Sequence, residues 1–226
     1  MGVSPRRHST RNKEVDSSVK ICMHYEILDK QRRDMLPLLS DLKSDYYLAG
    51  GTALALQFGH RDSVDFDFFS EGDIDTVKLF EDLRVIFKDH KLQKTQEEIN
   101  TLSVVVDDLI KLSFISYKYA LIKTPIDEEN LRVASIEDIA CMKLSTITSR
   151  ASNKDYIDLY YILGQSKLAD LLVTAKQKFP ELDQNLILKS LVYFDDIKTE
   201  PILFKGDHSV DFEIIKDFLR KQIKAL

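Results

Sequence analysis

The stretch Tyr46–Ser70 reads YYLAGGTALALQFGHRDSVDFDFFS, and the architecture follows from its punctuation. An apolar run, Tyr46–Ala49, meets a Gly50-Gly51-Thr52 turn; a short helical piece follows, then a second run, Ser63–Phe69. Read as a strand, the second run places Asp65 and Asp67 on one face, because successive strand side chains alternate sides. Phe66 and Phe68 then point the other way, into a core. Two carboxylates on an apolar strand cost free energy unless something cationic sits between them. A hard divalent metal with oxygen ligands meets that need, and Mg²⁺ typically completes its shell with substrate phosphates. Gly50 and Gly51 let backbone N–H groups approach a phosphate, and Thr52 opens a helix whose N-terminus favours anions. Asp65 and Asp67 are thus the candidate metal ligands, and Gly50, Gly51 and Thr52 the candidate phosphate grip.

Before this stretch, Met1–Lys20 lacks periodicity, and a disordered basic tail is expected over residues 1–22, with Arg6, Arg7, Arg11 and Lys13 as solvated charge. From His24 to Leu42 the apolar positions suggest an amphipathic helix leading into the first strand. After it, Ile74–Asp89 has helical spacing, and Leu92–Glu98, Thr101–Val106 and Leu109–Tyr117 read as strands joined by tight turns near Ile99-Asn100 and Asp107-Asp108. The polar connector Lys123–Asn130 contains Pro125 and marks a candidate boundary. Beyond a short strand at Arg132–Ala134, helices are expected near 136–149, 153–164, 167–179, 184–195 and 210–224. The fold class is α/β (α+β), a mixed sheet with flanking helices followed by a helical bundle. The expected division is a core over 23–124 and a mostly helical C-terminal domain over 125–226 that completes the active site.

In the second half, Ser135-Ile-Glu-Asp138 starts a helix in the manner of a capping box. Lys143 sits on that helix's apolar stripe, four residues from both Ile139 and Ile147, and needs a partner there. In the next helix Asp158 is the only charged side chain within Tyr156–Leu163. If the chain reverses near Arg150–Ala151, Lys143 and Asp158 stand at the same height in an antiparallel helix pair and face each other or one ligand. On spacing alone a structural salt bridge is the plain alternative. Asp155, near the helix start, is more often a capping residue.

The residues carry a family resemblance. GG-T followed by D-F-D resembles the signature of the polymerase-β-like nucleotidyltransferases, and GGTALALQFGHRDSVDFDFF looks like the AbiEii/AbiGii toxin family, which includes the MenT toxins. MKLSTITSRASNKDYIDLYYIL looks like the family's second signature, in which a lysine and a downstream aspartate are functional. The resemblance spans residues 30–165. It implies a Mg²⁺-dependent nucleotidyltransferase that moves an NMP from an NTP to a hydroxyl of RNA (a tRNA 3′ end) or of protein. It implies catalytic roles for Asp65, Asp67, Lys143 and Asp158, with Lys143 on the nucleotide phosphates and Asp158 orienting the site or acting as a base. A toxin with a cognate antitoxin protein is implied as well. Arg61 fits as a further nucleotide contact, with a helix C-terminal charge as the equal alternative.

The chain departs from the superfamily in one place. A third carboxylate usually stands on a later strand of the same sheet, and the residue aligned there is Ser113, a poor metal ligand. Asp107, Asp108 or Asp158 are the candidate substitutes. Ser113 also motivates the alternative of a nucleotide-binding regulator, or an interaction protein, with decayed transferase activity.

Composition narrows the rest. The formal net charge of −5 over 226 residues argues against a general nucleic-acid coat. Cys22 and Cys141 stand in no metal or redox spacing, which excludes a disulfide scaffold and suggests a reducing compartment. No apolar run approaches the ~20 residues of a membrane span. The basic N-terminal stretch lacks the apolar segment of a secretory signal, so a cytoplasmic protein is expected. His60-Arg61-Asp62 matches the kinase tripeptide, but too little chain precedes it for a nucleotide-binding lobe. Tyr156, Tyr160 and Tyr161 are candidates to stack a base, although at helical spacing they are more often core.

Overall fold

A computed structural model of the chain describes residues 22–226. Apart from Cys22, the expected basic tail lies outside the described residues. Strands β1 (Tyr47–Ala49), β2 (Phe66–Ser70), β3 (Leu92–Glu98), β4 (Thr101–Val106), β5 (Ile110–Ser116), β6 (Ile126–Asp127) and β7 (Arg132–Val133) join in one sheet. Its order is β3-β4-β5-β2-β1-β7-β6. The sheet is mixed: β2 runs parallel to β5 and antiparallel to β1, and β1 runs parallel to β7.

The centre of the sheet is where the opening stretch lies. Phe66 and Phe68 are buried, and Phe68 stacks on Phe114 of β5 at 5.3 Å between ring centres. That aromatic layer holds β2 against β5 and forces Asp67 to the opposite face. Asp65 differs from expectation: the strand begins at Phe66, so Asp65 lies in the segment just before it and is exposed. The β4–β5 hairpin turns on Asp107 and Asp108, both at positive φ (52° and 57°). Two consecutive left-handed residues match the right-handed twist of the strands they join, and aspartate tolerates that conformation.

Around the sheet lie α1 (Lys30–Leu39), α2 (Gly50–Phe58), α3 (Thr76–Ile86), α4 (Ile136–Thr146), α5 (Asn153–Leu163), α6 (Leu168–Lys178), α7 (Gln184–Val192) and α8 (Phe212–Lys224). The single helix expected over His24–Leu42 is instead a 3-10 turn, α1 and a second 3-10 turn. The break is local chemistry: Leu28 is extended, and the Asp29 side chain accepts from the Arg32 N–H to start a new helix. Ser135 caps α4 by accepting from the Asp138 N–H at 3.0 Å. Helix α2 packs on β1, β2, α4 and α5, and α5 packs in turn on α8, so the helical half closes over the end of the sheet that carries Asp67. Among the described residues no helix is long and apolar enough to cross a membrane.

Candidate active site

At the end of β1 the chain turns sharply into α2. Gly50 has φ +72°, and a Cβ there would lie 3.3 Å from Asp67 Oδ2. A side chain at Gly50 would therefore be both strained and crowded. At Gly51 a Cβ would come within 2.6 Å of the Arg61 guanidinium. The glycine pair is thus required by close approach on both sides of the turn. Thr52 is buried, and its hydroxyl donates to the Asp65 carbonyl and lies 2.7 Å from the Ser63 hydroxyl. Its side chain staples the turn to the acidic segment, so toward a phosphate Thr52 offers backbone only.

Asp67 is half-buried, with Ala49 opposite it in β1 and Ser113 opposite it in β5. Burial pushes its carboxyl above the usual range, a hydrogen bond from Ser113 opposes this, and Asp65 adds to the upward push. Among the described residues no ion pair reaches Asp65 or Asp67. Nor do three His, Cys, Asp or Glu side chains converge as a ready-made metal cluster. The pair fits a Mg²⁺ ion on this chemistry: two oxygen-donor side chains short of positive charge, with room for the phosphate oxygens that complete such a shell. Asp107 and Asp108 do not supply the third acid. They are held at the hairpin by His90 and Lys91 and line neither cavity at the site.

The reversal near Arg150–Ala151 brings α4 and α5 together as the spacing expects, with Lys143 Nζ 2.7 Å from Asp158 Oδ2. The same amine donates to Asp155 Oδ1 at 2.7 Å. Asp158 is fully buried. Arg61 grips it with Nε to Oδ1 at 2.8 Å and a terminal nitrogen to Oδ2 at 2.9 Å, and His60 Nε2 lies 2.9 Å from Oδ1. Burial opposes its ionisation, but Arg61 and Lys143 together hold the carboxyl well below its usual value. Burial also lowers His60, partly countered by Asp158. Both Asp158 oxygens are committed, and the residue lines neither cavity. Of the two roles implied for it, this geometry supports orientation and leaves no lone pair for a base. Arg61, likewise buried, is a pillar beneath Gly51 more than a free phosphate contact.

Two cavities, about 530 Å³ and 470 Å³, meet at Gly51, Asp65, Asp67, Lys143, Arg150 and Asp155. The first adds Thr52, the cations Arg61, Lys154 and Lys198, and the acids Asp62 and Glu200, so it carries charge of both signs. The second adds Gly50, the polar Gln96, Thr101, Ser103, Lys111 and Ser113, and the apolar Phe69, Ile115, Ile139 and Met142. Asp155, set aside on spacing as a cap, faces both, and its Oδ2 is buried with no hydrogen-bond partner. The weak signal was its place one helical turn before Asp158. Lys198 and Glu200 had no sequence signal at all, since they arrive from a loop between α7 and α8. Tyr156, Tyr160 and Tyr161 are core: Tyr156 donates to the Ser190 carbonyl at 2.8 Å, Tyr160 packs on Phe218, and Tyr161 donates to the His208 carbonyl.

Comparison with known proteins gives the family and the fold. The chain is 36% identical over 205 residues to an uncharacterised protein of Aquifex aeolicus (strain VF5), covering 87% of this chain and 96% of that one. Its fold is similar to JHP933 from Helicobacter pylori, with TM-score 0.54 at 18% identity over 90% of this chain and 92% of that one. It is similar also to MenT4, a nucleotidyltransferase toxin of Mycobacterium tuberculosis H37Rv, with TM-score 0.55 at 14% identity over 87% and 82%. A family model described as "Nucleotidyl transferase AbiEii toxin, Type IV TA system" matches residues 37–222. A match over most of the chain, around the glycine turn, the acid pair and the Lys143–Asp158 contact, makes this protein a nucleotidyltransferase that belongs to the AbiEii toxin family.

Proposed function

We propose that this nucleotidyltransferase moves an NMP from an NTP to a hydroxyl of RNA, such as a tRNA 3′ end, or of a protein, as the toxin of a pair with a cognate antitoxin protein. The observation that carries the reading is Asp67, half-buried beside Asp65 without an ion-pair partner, at the junction of two cavities that both reach Lys143 and Arg150. Asp65 and Asp67 would hold Mg²⁺, which when bound neutralises phosphate charge and favours in-line displacement. The N–H groups at Gly51 and Thr52, at the start of α2, favour the polyphosphate, with Arg150, Lys154 and Lys198 around it. Lys143, at the floor of both cavities, places positive charge where charge develops on the transferred phosphoryl group. The acceptor hydroxyl oxygen enters from the second cavity and bonds to the α-phosphorus as the bond to the β-phosphate oxygen breaks, releasing pyrophosphate. Asp155, a carboxylate common to both cavities whose Oδ1 takes Lys143 and whose Oδ2 has no partner, is our candidate to take the hydroxyl proton.

Ser113 in register with Asp67 favours one second reading, a nucleotide-binding regulator that has lost transfer. Label transfer from each of four α-³²P NTPs with Mg²⁺ into total RNA and total protein separates the two, with wild type and Asp67→Ala run together. Transfer that falls at least about a thousandfold in the variant supports the transferase and names donor and acceptor class. Nucleotide binding without label would overturn it in favour of the regulator.

A further inference from the structure

A nucleotide donor has an apolar face as well as phosphates, and nothing aromatic lines the first cavity to receive it. The three tyrosines of α5 are committed to the core, as described above. What lines the cavity away from the glycine turn is aliphatic: Val64, Ala151, Pro201, Ile202 and Leu203. Two of these are large and open to solvent, Val64 at 49% and Leu203 at 68%. A scattered exposed aliphatic side chain needs no explanation. Here both stand at one cavity, beside the charged and polar residues that face the glycine turn, so the cavity offers apolar surface as well as polar groups to a small molecule.

The segment that delivers them is irregular yet firmly tied. Lys198 pairs with the start of α5 through its N–H to the Ala151 carbonyl at 3.0 Å and its carbonyl to the Asn153 N–H at 3.1 Å. The Asn153 side chain clasps the Glu200 backbone twice, donating to its carbonyl at 2.8 Å and accepting its N–H at 3.0 Å. Downstream, the Leu203 carbonyl accepts from the Asp62 N–H at 2.8 Å, and Lys205 N–H donates to the His60 carbonyl at 3.1 Å. Residues 201–203 are the span between these ties. The strap therefore runs beside the 60–64 segment, whose other end carries Asp65. A wall held this way is pre-organised, and little ordering cost attends a ligand that lies on it.

We propose that residues 201–203 of this strap, with Val64, form the seat of the nucleobase, so that the nucleoside half of the donor lies on aliphatic side chains while its phosphates reach the glycine turn. The inference rests on the donor reading above and adds the residues that bind the base. An aliphatic seat grips base faces and leaves the edges to the strap backbone, Ser152 and Glu200. Glu200 already engages Lys154 at 2.9 Å and Ser152 at 3.2 Å at this wall.

The test is calorimetric titration of the full-length wild type, Leu203→Ala and Val64→Ala with each of the four NTPs and, separately, with inorganic tripolyphosphate, all with Mg²⁺. Both side chains are exposed, and thermal melts check that the fold is kept. The expected result is NTP binding weakened about three- to tenfold by each truncation, as for loss of part of a buried aliphatic contact, with tripolyphosphate affinity unchanged. NTP affinity unchanged in both variants would overturn the seat. Equal weakening of NTP and tripolyphosphate would overturn it as well, because the strap would then act on the phosphates. Failure of the wild type to bind any NTP, with tripolyphosphate still bound, would instead remove the nucleotide-donor reading on which the seat depends.

Discussion

Two acid pairs meet at the same cleft, and they live in opposite electrostatic worlds. Asp65 and Asp67, on and beside β2, have no cation paired to them among the described residues, and burial raises Asp67. Asp155 and Asp158, one helical turn apart on α5, share Lys143, and Asp158 also takes Arg61 and His60. One pair is short of positive charge and open to a ligand. The other is rich in cations and, at Asp158, saturated and closed to solvent. Carboxylate spacing alone does not separate these roles; the surrounding charge does. A cation-poor pair is built to bind, whereas a cation-rich pair is built to hold two helices and the 60–61 segment in place.

The contrast can be broken most directly at Asp158. Asp158→Ala leaves Arg61 buried without its carboxylate and Lys143 with Asp155 alone, and denaturant melts should show a loss of about 3–5 kcal/mol. A melt like that of wild type would mean that the cation-rich pair is not structural. Ser113→Asp sharpens the other side by adding a third acid in register with Asp67 at a buried position. Without divalent metal the variant should lose about 2 kcal/mol, and millimolar Mg²⁺ should restore part of it. No response to Mg²⁺ would count against a metal site at Asp65 and Asp67.

The smallest effect is a pH slope at His60. Its folded value is lowered, so the unfolded chain takes up a proton near pH 6.5 while the folded chain does not. The stability contributed by neutral His60 is present above pH 6.5 and is lost as pH falls from there toward the folded value. Relative to wild type, His60→Gln should flatten the stability profile between pH 7 and 5.5 by at most about 1.4 kcal/mol per pH unit. Parallel profiles would place the acid sensitivity elsewhere.

Local patterns reached far in this chain. The alternation Phe66-Asp67-Phe68 sets which face of β2 meets the core, because a strand side chain has only two directions to choose from. Hairpin turns at Asn100 and Asp107-Asp108, and the helix start at Ser135, are written in residues that tolerate left-handed backbone or cap an N-terminus. The Lys143–Asp158 contact was legible too, as a lysine on an apolar stripe and an acid equally far from one reversal. Less legible was the interval His24–Leu42, where one cap at Asp29 outweighs the longer apolar period.

By itself, then, the sequence determined the glycine turn, the acid pair and the mixed sheet with its helical second half, since each rests on contacts between near neighbours or on a repeat of two or 3.6 residues. Only the tertiary structure decided that Arg61 and His60 belong to Asp158, that Thr52 spends its hydroxyl on Asp65, that Asp155 faces the cleft, and that Lys198–Leu203 walls it. Those outcomes depend on which charged groups and which loop arrive from the far ends of the chain, and no local period encodes the address at which a distant side chain will be desolvated.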